Sequence, residues 1–130
     1  RKRILVVEKH PEMRQAITDL VNSQRDLEVC GTTDTLAGAV TSTSELGPDL
    51  VVLGSQISDE PLSEAITQIR GDRSKLPVII LPLFDERQYG SHLLDVGATA
   101  YVSKDEMGTH LTFVMRSILN RRPTVMISKN

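Results

Sequence analysis

Short apolar runs alternate along this chain with longer stretches of helical spacing. Ile4–Val7 (ILVV) is continuously apolar, the pattern of a strand covered on both faces. Pro11, Glu12 and Met13 open a helix, proline being suited to a first turn. Met13, Ala16, Ile17, Leu20 and Val21 then recur at the 3.6-residue spacing of one buried face. Leu27–Thr32 reads as a second strand. A helix from about Thr35 to Leu46 follows, carried by Leu36, Ala39, Val40 and Leu46. Its polar stretch Thr41–Ser44 (TSTS) weakens it, because such side chains compete for backbone hydrogen bonds. Gly47-Pro48 breaks the chain before a third strand at Leu50–Leu53.

The second half repeats the alternation. Leu62, Ala65, Ile66 and Ile69 form a helix stripe stopped by Gly71, and Val78–Leu81 (VIIL) is a fourth buried strand. Tyr89, Leu93 and Val96 mark a fourth helix, closed by Gly97 at the expected C-terminal position. Ala100–Val102 is a short fifth strand. Leu111, Val114, Met115, Ile118 and Leu119 make a last amphipathic helix before Arg122-Pro123. Five strands alternating with five helices imply βαβ crossovers, hence an α/β fold with a doubly wound parallel sheet and helices on both faces. Strand order 2-1-3-4-5 is the natural choice at this length. It brings the carboxyl ends of strands one, three, four and five together, carrying Glu8 and Lys9, Gly54, Pro82 and Lys104.

Size and charge narrow the function. With 130 residues, 39% of them hydrophobic, one domain is expected over residues 1–123, with 124–130 a tail or the start of a linker. A net charge of −2 offers no basic surplus for nucleic acid, and the RKR at Arg1–Arg3 and the pair Arg121–Arg122 read as solvated ends. No apolar run approaches the roughly 20 residues of a bilayer helix, and no h-region follows Arg1–Arg3. Cys30 is alone, so no internal disulfide forms, which fits a reducing cytoplasm. The opening Arg suggests a fragment of a longer protein. His10, His92 and His110 lack metal-ligand spacing and are expected at the surface or at caps.

At the strand ends the sequence resembles the receiver domain of two-component response regulators, the CheY-like version of the flavodoxin-like fold. It is most similar to the LuxR/NarL-type subfamily, which joins a receiver to a helix-turn-helix. The phrases RILVVEKHPEMRQAI, PDLVVLGSQ, VIILPLFDE and VGATAYVSKD carry the likeness, in order and at matching spacing from Arg3 to about Arg122. The resemblance implies a pocket of five positions. Two acids after strand one hold Mg²⁺, an Asp ending strand three takes the phosphoryl group, a Thr or Ser ends strand four, and a Lys follows strand five.

Carried over residue by residue, that pocket is mostly dismantled. Glu8 matches the first acid, but Lys9 replaces the second with a cation. Gly54 stands at the acceptor position with no nucleophile, and Pro82 replaces the hydroxyl. Lys104 alone is intact. The family's three carboxylates and one Lys sum to about −2, whereas Glu8, Lys9 and Lys104 sum to about +1, so Mg²⁺ binding is expected to be lost and no cofactor is expected. Ser55, one residue beyond, lacks the metal or adjacent base that would make it a nucleophile. Lys9 either reaches Glu8 or Asp85 as a built-in cation or points to solvent. Tyr101 sits at the family's aromatic switch position and is either that switch or a packing residue.

The expected function is therefore not catalysis but a phosphorylation-independent interaction or dimerisation module. Its partners would be proteins: a second copy, docked through Leu111, Met115 and Leu119 of the last helix, and a DNA-binding output domain outside this chain. The alternatives are a working phosphoacceptor receiver and a flavodoxin-like binder of another small ligand. The second lacks a Gly-rich loop after strand one, where Glu8-Lys9-His10-Pro11 stands.

Overall fold

Alternate residues of one strand face opposite layers of helices, and this alternation organises the molecule. The computed structural model describes residues 1–82 and 95–120. In β1 (Lys2–Val7) and β3 (Leu50–Gly54), Leu5, Val7, Val51 and Leu53 join one core, while Ile4, Val6, Leu50 and Val52 join the other. All eight have no exposed surface, which is why both strands read as unbroken apolar runs. Around them lie α1 (Pro11–Asn22), β2 (Leu27–Thr33), α2 (Leu36–Leu46), α3 (Leu62–Arg70), β4 (Val78–Leu81), β5 (Ala100–Tyr101), a 3-10 turn at Lys104–Glu106, and α4 (Met107–Leu119). The sheet is parallel, in the order β2-β1-β3-β4-β5. Ile17 and Val21 of α1 and Leu111 and Met115 of α4 cover one face; Leu36 and Ala39 of α2 and Ala65, Ile66 and Ile69 of α3 cover the other.

Local chemistry explains the boundaries. Pro11 begins α1, and Thr35 caps α2 by accepting a hydrogen bond from the Gly38 N–H at 2.9 Å. The TSTS stretch stays helical because Thr43 and Ala39 are buried against the core, so packing outweighs weak propensity. The expected fourth helix, with Tyr89 and Leu93, lies outside the described residues apart from its end. There Gly97 takes φ +107, a left-handed conformation that suits glycine.

Three expectations are corrected. Ala16 is exposed, not part of the buried face of α1. Val102 lies just beyond β5, although its N–H still donates to the Ile80 carbonyl at 2.9 Å. Leu111 and Met115, expected at an outer interaction face, both have 0% exposure and belong to the core. The stripe of α4 serves mainly the sheet and α1, and its exposed apolar side chain is Phe113, at 65%.

Candidate functional site

The strand registers bring the expected residues to one edge. Val7 pairs with Leu53 and Gly54 with Leu81, so Glu8, Gly54 and Pro82 end three adjacent strands at the same level. Lys104 arrives from the turn after β5. Pro82 is buried directly beyond β4.

Glu8 is the centre of this edge. Its N–H continues the sheet by donating to the Thr33 carbonyl at 3.0 Å, and only 2% of its surface is exposed. Oε2 accepts a hydrogen bond from the His10 backbone N–H at 3.1 Å and meets His10 Nδ1 at 3.0 Å. Oε1 points the other way. A Cβ built on Gly54 would run into Oε1 and stand 3.1 Å from Cδ, so the carboxylate fills the space a side chain at 54 would need. Oε1 is buried without a hydrogen-bond partner, and Lys104 Nζ lies 3.6 Å from it. The Lys104 side chain is 15% exposed, so the pair is shielded from water. At an effective dielectric of about 20 such a pair attracts by about 4 kcal/mol before desolvation is subtracted, so it orients the groups strongly without adding much net stability.

Arg14, one turn into α1, ties the loop down. Its Nη1 donates to the Glu8 carbonyl at 2.8 Å and to the Lys9 carbonyl at 3.4 Å. Lys9 itself is exposed; among the described residues the cationic groups within 4 Å of the Glu8 carboxylate belong to Lys104 and, when protonated, His10. Asp85, its other expected partner, lies outside the described residues. Tyr101 is half-buried on β5 opposite Ile80 and packs against the core on the α2 and α3 side. Leu119 is half-buried beside the other core. Sequence reasoning missed His10 and Arg14 as partners of the Glu8 loop; their signal was only their nearness to a helix start.

These residues do not fit a magnesium ion. The described residues hold no group of three or more His, Cys, Asp and Glu side chains able to take a metal. The Glu8 carboxylate turns one oxygen toward a lysine rather than into an open oxygen-lined site. Elsewhere, burial pushes the Cys30 thiol above its ordinary value, so it behaves as a small core-packing group.

A parallel 2-1-3-4-5 sheet whose acidic, acceptor and lysine positions converge at the strand ends defines a receiver-type domain. The chain belongs to the response regulator receiver domain family, whose profile matches residues 4–116. Such domains are the receiving modules of two-component systems. Among curated relatives, the response regulator protein VraR of Staphylococcus epidermidis is 29% identical over 114 residues, which are 88% of this chain and 54% of that protein. The chain thus spans about half the length of the curated relatives it matches. Among solved structures, a LuxR-family two-component response regulator from Aurantimonas sp. SI85-9A1 aligns with a TM-score of 0.83 at 23% identity, covering 92% of this chain and 86% of that one. The signal receiver domain of a response regulator NarL from Mycobacterium tuberculosis gives 0.82 at 20% identity, covering 94% and 98%. These two show the fold. No helix among the described residues is long and apolar enough to cross a membrane.

Proposed function

We propose that this receiver works without phosphorylation, as a protein-interaction module rather than a phosphate-driven switch or an enzyme. The observation that carries this reading is Gly54. It stands at the acceptor position with no nucleophile, and the Glu8 carboxylate already fills its side-chain space. Lys9 and Pro82 remove the second acid and the hydroxyl, so metal binding and phosphate anchoring are lost together, and no cofactor takes part.

Its output is transcriptional control through a DNA-binding domain joined to the receiver. The matched stretch is about half of the relatives' length, which leaves room for such a domain. The receiver itself, with a net charge of −2, contacts protein rather than nucleic acid. A homodimer through the outer side of α4 is part of the same reading, with Phe113 and the half-buried Leu119 in place of the buried Leu111 and Met115.

The test is chemical. The chain is incubated with Mg²⁺ and acetyl phosphate and followed by intact mass, and its melting is measured with Mg²⁺ and beryllofluoride. No phosphoryl adduct and no shift in melting temperature are expected. An acid-labile adduct, or a saturable rise in melting temperature, overturns the reading, since a ligand selective for the native state must stabilise it.

A further inference from the structure

We propose that Glu8 is a permanent internal stand-in for the missing phosphoryl group: its carboxylate, seated in the side-chain space of Gly54, holds Lys104 and keeps the turn after β5 closed onto the end of β1. The inference rests on the reading that the domain is never phosphorylated, and it names what keeps the domain in one state instead.

Three observations converge on it. The first is spatial. Gly54 leaves open the space that the Glu8 carboxylate takes, and a Cβ at 54 would force Oε1 to shift. The second is an unbalanced acceptor. Oε2 is engaged by His10, but Oε1 has no hydrogen-bond partner although it is buried, and a buried carboxylate oxygen needs a compensating positive group. Lys104 Nζ, at 3.6 Å, supplies that charge. The third is connectivity. Lys104 begins the 3-10 turn, whose Glu106 N–H donates to the Ser103 carbonyl at 3.0 Å and whose Met107 N–H donates to the Lys104 carbonyl. Met107 is also the first residue of α4. A charge anchored on β1 therefore fixes where α4 begins, and the anchor is covalently part of the chain. A phosphoryl group comes and goes, whereas this carboxylate does not.

The experiment compares amide hydrogen exchange and relaxation dispersion at Lys104–Met107 in the wild-type chain, Glu8→Gln, Lys104→Gln and the double variant. Glu8→Gln keeps the shape and the His10 contacts but removes the charge. Each single variant is expected to speed exchange of the Glu106 and Met107 amides by about tenfold or more and to introduce millisecond exchange at the turn, with the double variant no worse than either single one. Glu28→Gln, remote from the site, leaves these signals unchanged. Unchanged exchange in both single variants, or effects that add in the double variant, overturns the proposal. If Glu8→Gln does not fold, Lys104→Gln alone decides: unaltered exchange in the turn refutes the tether. Phosphoryl labelling of the wild-type chain refutes the function proposed above and leaves these exchange data to judge the tether by themselves.

Discussion

The carboxylate of Glu8 occupies the place that a side chain on Gly54 would take. Gly54 is fixed by its pairing with Leu81, and Glu8 is 2% exposed and held through Oε2 by His10. Gly54 thus leaves the space that the Glu8 carboxylate takes beside Lys104.

Adding a single methyl should reveal this dependence. Gly54→Ala is expected to destabilise the domain by about 1–3 kcal/mol in urea unfolding, because the new Cβ must displace Oε1 from a closely packed site. Combining it with Glu8→Ala should cost less than the sum of the two single changes. Strict additivity would show that the two residues do not share the space.

Restoring the acceptor should not restore the chemistry. Gly54→Asp places a second carboxylate against Glu8, while Lys9 and Pro82 still deny the metal and the hydroxyl. With Mg²⁺ and acetyl phosphate, intact mass is expected to show no appreciable phosphoryl adduct. Robust labelling of this single variant would mean that Gly54 alone disables the pocket.

The last helix separates packing from interaction. Met115 has no exposed surface, and Met115→Ala should cost about 2–5 kcal/mol by loss of burial and creation of a cavity. Phe113, 65% exposed, contributes little to folding, and Phe113→Asp should change stability by no more than about 0.5 kcal/mol. In sedimentation at tens of micromolar, the wild-type chain is expected to dimerise and Phe113→Asp to be monomeric. A wild-type monomer removes the homodimer.

An acid titration tests a tie between α4 and the start of β2. Arg116 Nε and Nη2 donate to the two Asp26 oxygens at 2.8 and 3.0 Å, and this bidentate contact holds the Asp26 carboxyl below its ordinary 3.8. A folded-state value below the unfolded one stabilises the fold above the unfolded value, and that stabilisation disappears as pH falls through the folded value. Asp26→Asn should therefore lower the melting temperature slightly at neutral pH, with the difference closing below about pH 4 and shrinking in high salt. A difference that persists at low pH would point to packing rather than charge.

The sequence by itself determined the architecture. Strands buried on both faces must be apolar at every position, so Ile4–Val7, Leu50–Leu53 and Val78–Leu81 were visible as unbroken runs. Their alternation with helical spacing leaves a parallel sheet as the solution, and the order expected at this length is the one observed. The sequence also showed which residues reach the strand ends, because position after a strand needs no knowledge of contacts. It could not show which of them meet. Lys9, adjacent to Glu8 in the chain, is exposed, whereas Lys104, ninety-six positions away by residue number, faces its carboxylate. Nor could periodicity tell which part of the apolar stripe on α4 remains outside. Leu111 and Met115 are buried because the sheet and α1 both press on that side, a fact about neighbours rather than about spacing. Only the tertiary structure decided that Glu8 turns into the space of Gly54, since a side chain's direction is set by the room and charge that distant segments bring to it.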